Sequence, residues 1–326
     1  MPLTQLLPAE LLLSILSHLS PSFFTSDIRR LTVSKTWHPL AWSVLVRHLH
    51  LTHTSLASFA HNDAAHLRSQ PHIASATIIL DGTRFPPPPG GSEWSTSLTP
   101  NLTALAGSLH RSRGLRALTL KARALDREER SRASLTAPPL ASLLEIKHLT
   151  SLELDTGTCR VEMAGAGGVH LCAAVAGLLP SLRRLRCRME RICERLLGAE
   201  DEAEGGTKLP ALQEVVVNLS LSELSEEFVS YRHARGCEGA GHGNSIVGLR
   251  EGMESQALVL ARRMGKGGKV RVISHTLPEL DLFAFDAVAG EEEEEGEVEV
   301  RRVRLWNNLE WAADGDEADE EDMGGR

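Results

Sequence analysis

Apolar residues recur in this chain in a short unit, Leu-x-x-Leu-x-Leu, that returns at nearly even intervals. Leu115-Leu118-Leu120, Leu149-Leu152-Leu154, Leu182-Leu185-Cys187 and Leu212-Val215-Val217 carry it, and their starts lie 34, 33 and 30 residues apart. The alternation of apolar and polar positions in each unit predicts a short strand. Weaker units begin at Val46, Ile73, Val270 and Val300. Helical spacing fills intervals between them, over 102–109, 139–146, 169–179 and 246–264, and Pro180 and Pro210 stop a helix before the strand that follows. Helix then strand, repeated, predicts parallel strands that cannot cover their own apolar faces. Neighbouring layers must stack, as in a solenoid. A single α/β domain with a parallel sheet shares this local pattern and stays open as the alternative.

The first fifty residues change period. Residues 7–19 read as a helix, with Pro8 in its first turn and Glu10 where the helix dipole favours an anion. Leu11, Ile15 and Leu19 fall on one face, with Leu12 and Leu16 beside them; Ser14, Ser17 and His18 mark the other side. Ser20-Pro21 ends the helix. A second helix is expected near Asp27 with Ser26 as its cap, carrying Ile28 and Leu31. Pro39 opens a third, with Leu40, Val44 and Leu45 inward. Three helices this short cannot bury all these groups among themselves, so an apolar stripe is left for something else to cover. A bundle that merely caps the following domain would also use such a stripe.

The run Leu7-Pro8-x-Glu10-Leu11-Leu12-x-x-Ile15-Leu16-x-x-Leu19, then Asp27-Ile28, then Val33-Ser34-Lys35-x-Trp37, resembles an F-box. That family is a small helical module that docks on the Skp-type adaptor of cullin ubiquitin ligases. The resemblance implies that Leu7, Pro8, Leu11, Ile15, Leu16, Ile28, Val33 and Trp37 form or support an adaptor-binding surface. The chain departs from the family in a longer 20–26 connection, which includes Phe23-Phe24, and in a short interval from Asp27 to Trp37. The body resembles an irregular leucine-rich repeat of the kind often joined to F-boxes, although the Asn expected after each strand is missing. The organisation implied is an F-box-like module over 1–48, an α/β repeat over 49–311 with loops at 81–97, 198–206 and 232–244, and a disordered acidic tail over 312–326. The implied function is that of a non-catalytic substrate receptor in an SCF-type ubiquitin ligase, partnered by a Skp-type adaptor, a cullin complex and an unknown client protein. A repeat scaffold with no part in ubiquitin transfer is the alternative.

Composition sharpens this reading. Aromatic residues make up 4% of the chain, so Leu and Val must supply most of the burial. The net charge of −8 is an average over unlike parts: residues 291–326 hold 15 acidic side chains against 4 Arg, which leaves the rest slightly positive. That balance predicts no partnership with nucleic acid or an anionic membrane surface. No run of 18 apolar residues is present, so no membrane span is expected. Five Cys at irregular spacing suggest reduced thiols and a cytoplasmic or nuclear setting.

Candidate chemistry is sparse, and no catalytic residue, cofactor or metal ligand is expected. Gly265-Lys266-Gly267-Gly268-Lys269 follows a helix and precedes a strand, the reverse of a phosphate loop, so it predicts a turn. His233, Cys237 and His242 lack the paired spacing of a zinc site. The densest basic stretch is in the strand expected at 184–189. There Arg184, Arg186 and Arg188 would share the solvent face and either grip an acidic client segment or pair with acidic residues of neighbouring strands.

Overall fold

In a computed structural model of the chain, the described residues are 7–19, 23–24, 27–62, 69–81, 93–123, 134–157, 159–162, 170–198, 207–221, 233–237, 245–276, 281–290 and 298–305. The expected tail 312–326 lies outside them, as do most of the expected loops at 81–97, 198–206 and 232–244. Two compact units divide the chain: Met1–Glu153 with Glu162–Val169, and Leu154–Val161 with His170–Arg326. The content is mixed α/β with a nine-stranded sheet in which parallel pairing dominates.

The first unit begins with α1 (Ala9–Ser17), a 3-10 turn (Ile28–Leu31) and α2 (Trp37–Arg47). Pro8 is the N-cap residue of α1, its carbonyl accepting from Leu12 N–H at 3.1 Å. Asp27, not Ser26, caps the next turn, accepting from Arg29 N–H at 3.0 Å. A carboxylate at an N-cap satisfies a donor that the turn leaves orphaned. Helix α2 starts at Trp37, two residues before Pro39, with the Ser34 hydroxyl accepting from Trp37 N–H. Leu16, Phe24, Leu31, Ala41 and Val44 form one buried cluster, flanked by Leu19, Phe23, Trp37, Leu40, Trp42 and Leu45. Phe24 belongs to the long 20–26 connection, so the extra residues supply core.

Helix α2 runs into β1 (His48–Thr52) without a linker. Then come α3 (His53–Ala60), β2 (Ser75–Asp81), α4 (Glu93–His110), β3 (Ala117–Arg123), β4 (Ser134–Thr136), α5 (Ala137–Leu144) and β5 (Ser151–Thr156). The last belongs to both units. Helix α4 starts inside the range expected to be a loop. Strands β1, β2 and β3 pair in parallel, with Leu49, Ala76 and Leu118 side by side in one row and Leu51, Ile78 and Leu120 in the next. All six are buried. Each such Leu or Ile contributes about 1.5–3 kcal/mol relative to exposure. The residue that opens each layer is also equivalent: Ala74 N–H donates to Arg47 O, Arg116 to Ala74 and Thr150 to Arg116.

Strand β6 (Arg160–Glu162) is likewise divided between the units, and the second unit holds α6 (Leu171–Ala176), β7 (Arg184–Met189), a 3-10 turn (Glu194–Leu197), β8 (Glu214–Asn218), α7 (Ile246–Arg263), β9 (Lys269–His275), β10 (Leu282–Ala289) and β11 (Val298–Leu305). Leu185, Val215 and Val270 share one row across β7, β8 and β9, and Cys187, Val217 and Val272 the next, all buried. Gln213 N–H donates to Arg183 O and Lys269 to Gln213 O, repeating the ladder of the first unit. The Gly-rich stretch at 265–268 is a turn between α7 and β9, with Gly267 at φ +70°. The last two strands run antiparallel, β9 to β10 to β11. The unit at Val300 is therefore a strand but not a parallel layer. Arg271 faces Asp286 across this pairing and holds it through Nε–Oδ1 at 2.7 Å.

Candidate functional site

Helix α1 divides its leucines between two faces. Leu12 and Leu16 are buried, Leu16 within the cluster and with no exposed surface, whereas Leu11 is 52%, Leu13 40% and Ile15 51% exposed. Val33, between the 3-10 turn and α2, is 60% exposed. Leu7 is half-buried and Pro8 exposed. Of the residues assigned to adaptor docking, then, Pro8, Leu11, Ile15 and Val33 face outward, and Leu16 lies wholly inside. Trp37 is half-buried, its Nε1–H donating to Arg30 O at 2.6 Å. Ile28 stands in the 3-10 turn capped by Asp27. The Arg30 guanidinium sits 4.3 Å from the Phe23 ring centroid and donates to Phe23 O, which pins the 20–26 connection to the turn. The polar contacts thus tie the inner face together and leave an apolar outer face.

The Arg row on β7 does not share one solvent face. Arg184 is exposed, Arg186 is half-buried beside Glu214 at 3.6 Å, and Arg188 is enclosed with Asp155. Arg188 Nε and Nη2 donate to the two Asp155 oxygens at 2.8 and 2.6 Å. Past the fourth residue of β7, alternation gives way to continuous burial through Cys187, Arg188 and Met189. The guanidinium goes inside because a carboxylate from β5 waits there. Arg186 and Arg188 are thus held in ion pairs, and Arg184 stands exposed.

Two other polar groupings lie within the second unit. Ser220 Oγ and His275 Nε2 are 2.8 Å apart, with the His233 ring tilted 6.3 Å from that of His275. Ser220 is fully enclosed, so this is a hydrogen bond of the core. Burial lowers the pKa of His233 to about 4.

The second grouping joins His170, Cys172, Cys193 and Cys237. His170 is the N-cap of α6 and Cys172 lies in its first turn. Cys193 precedes the 3-10 turn Glu194–Leu197. Hydrogen bonds from the Cys172 and Cys237 thiols, in that order, pull the pKa of Cys193 down, while Cys172 is raised. The spacing argument that set His233, Cys237 and His242 aside picked the wrong partners for Cys237. His233 turns Nδ1 to Ala234 O, and His242 lies outside the described residues. The cluster's members are remote in sequence, 65 residues apart for Cys172 and Cys237 and 23 apart for His170 and Cys193. Only the His170-x-Cys172 pair hints at it in the sequence.

No helix among the described residues is long and apolar enough to cross a membrane. No family model, no curated protein and no solved structure matches this chain.

Proposed function

We propose that this chain is a substrate receptor of an SCF-type ubiquitin ligase, with residues 7–48 docking on a Skp-type adaptor and the repeat body holding a client protein. One observation carries the reading: Leu11, Ile15 and Val33 stand exposed on a helical module whose other face is already packed. Water-exposed apolar side chains gathered on a small module favour a covering partner. The F-box resemblance of the same residues says which partner. Strand order supports the leucine-rich-repeat-like body, because β1, β2, β3, β5, β7, β8 and β9 succeed one another in chain order. In this role the chain supplies proximity, and bond making belongs to the conjugating partners.

The test is capture of a purified Skp-type adaptor by the full chain. Leu11→Glu combined with Ile15→Glu should abolish capture while circular dichroism stays unchanged, since both side chains are outside the core. Undiminished capture by that variant would remove the docking surface from the account. A wild-type chain that captures no adaptor but still gathers other proteins would favour the scaffold without ubiquitin transfer.

A further inference from the structure

Four ligand-type atoms from three separate segments converge in the second unit. One ring nitrogen of His170 and the Sγ atoms of Cys172, Cys193 and Cys237 all lie within 4.8 Å of one another, and His170 Nε2 is the nitrogen that meets Cys193 Sγ. We propose that these four residues hold one structural zinc ion, independently of the adaptor reading.

The distances fit a single tetrahedral ion. Zinc–sulfur bonds of about 2.3 Å and zinc–nitrogen bonds of about 2.0–2.1 Å give tetrahedral edges of about 3.8 Å between sulfurs and about 3.6 Å between sulfur and nitrogen. Cys172 Sγ and Cys237 Sγ are 3.8 Å apart, and Cys193 Sγ and His170 Nε2 are 3.6 Å apart. With every remaining edge within 4.8 Å, a contraction of at most about 1.2 Å closes the cage. An iron–sulfur cluster needs room for several irons and sulfides, which four atoms this close do not leave. A Cys172–Cys237 disulfide would use two of the four groups and give no reason for Cys193 and His170 to meet them. Three thiolates and an imidazole suit zinc far better than magnesium or calcium. Four protein ligands leave no open position, so the ion would be structural.

The backbone frames the site. Arg191 and Arg235 form a parallel bridge, with Ile192 N–H donating to Arg235 O at 2.9 Å and Arg235 N–H to Glu190 O at 2.8 Å. Cys193 and Cys237 each stand two residues beyond that bridge, an offset that puts side chains on the same side. Helix α6 brings the other two: His170 and Cys172 flank its first residue, with Cys172 buried. His170 Nδ1 accepts a long bond, 3.3 Å, from Ala173 N–H. Zinc on Nε2 moves the ring proton to Nδ1, so that weak cap contact is exchanged for the metal bond. The ion would tie α6, the 190–197 segment and residues 233–237 into one piece.

The full chain, purified without chelator from zinc-supplemented medium, should carry one zinc per chain by elemental analysis. Cobalt titration of the chelated protein should give tetrahedral d–d bands with thiolate charge-transfer absorbance, and Cys193→Ser should lower that absorbance by about a third, one thiolate of the three. Cys172→Ser and Cys237→Ser should lose zinc, whereas Cys159→Ser and Cys187→Ser, on buried cysteines outside the cluster, should keep it. The cobalt experiment on the unaltered chain needs no variant to fold. Absence of both bound zinc and cobalt bands would overturn the proposal. So would undiminished thiolate charge-transfer absorbance in cobalt-loaded Cys193→Ser, or a Cys172–Cys237 disulfide in peptide mapping of the freshly purified chain.

Discussion

Replacing Asp155 by Ala removes one half of an ion pair whose two side chains are 3% and 2% exposed. Arg188 then keeps its charge inside the second unit without the two N–H···O bonds of 2.8 and 2.6 Å that offset its desolvation. Gly157 N–H also loses its 3.4 Å contact with Asp155 Oδ1. Breaking a buried pair from one side costs about 3–5 kcal/mol, because the remaining charge loses the carboxylate that offsets its burial. Arg301–Glu299 is the contrast, with side chains 65% and 57% exposed. Such a surface pair is worth about 0–1 kcal/mol. Urea unfolding followed by circular dichroism reads both. Asp155→Ala should shift the midpoint far more than Glu299→Gln, and adding Arg188→Met to Asp155→Ala should recover a large part of the loss. Equal small shifts for the two single variants, or no recovery in the double, would refute the reasoning that Arg188 is held by charge pairing.

Three further outcomes follow from the same geometry. Phe24→Ala should destabilise the chain by about 3–5 kcal/mol in thermal unfolding, while Leu13→Ser, on the exposed side of α1, should stay within about 0.5 kcal/mol. At Gly157 a Cβ would stand 2.9 Å from Arg188 Cγ and 3.0 Å from Leu221 Cδ2, so Gly157→Ala should cost about 1–3 kcal/mol in urea titration. His233 has its pKa lowered from 6.5 to about 4 by burial. The unfolded chain therefore binds the proton first, and stability falls as pH drops from 6.5 to 4, then levels off. Its share is at most about 3 kcal/mol, and His233→Gln should flatten that window in pH-dependent denaturation.

The repeat positions were legible because a strand buried on one face forces its apolar residues into period two. Leu118 and Leu120, Leu152 and Leu154, and Leu185 and Cys187 each fall where the pattern puts them, in β3, β5 and β7. The pattern fades at β10, where burial is continuous from Ala284 to Ala287 and the antiparallel partner is set by chain reversal rather than by repeat. Arg188 escaped for a related reason. Period two puts it with Arg184 and Arg186, but its position inside depends on Asp155, 33 residues earlier. The cysteine cluster escaped because ligand spacing in sequence carries information only when ligands share a turn. Here a helix start, a loop before a 3-10 turn and a bridge at Arg235 assemble them. On α1 the amphipathic reading set Leu12 and Leu16 beside Leu11 and Ile15 in one stripe, whereas Leu16 is enclosed in a cluster with Phe24 and Ala41 and Leu11 and Ile15 are exposed.

The outer face of α1 is the point on which the functional account turns, and calorimetric titration of a Skp-type adaptor into the full chain measures it most directly. Saturable one-to-one binding with a negative heat-capacity change, the mark of apolar burial, and its loss in Ile15→Glu, is the result the account predicts. No heat of binding across a range of temperatures, or binding that survives Ile15→Glu unchanged, would contradict it.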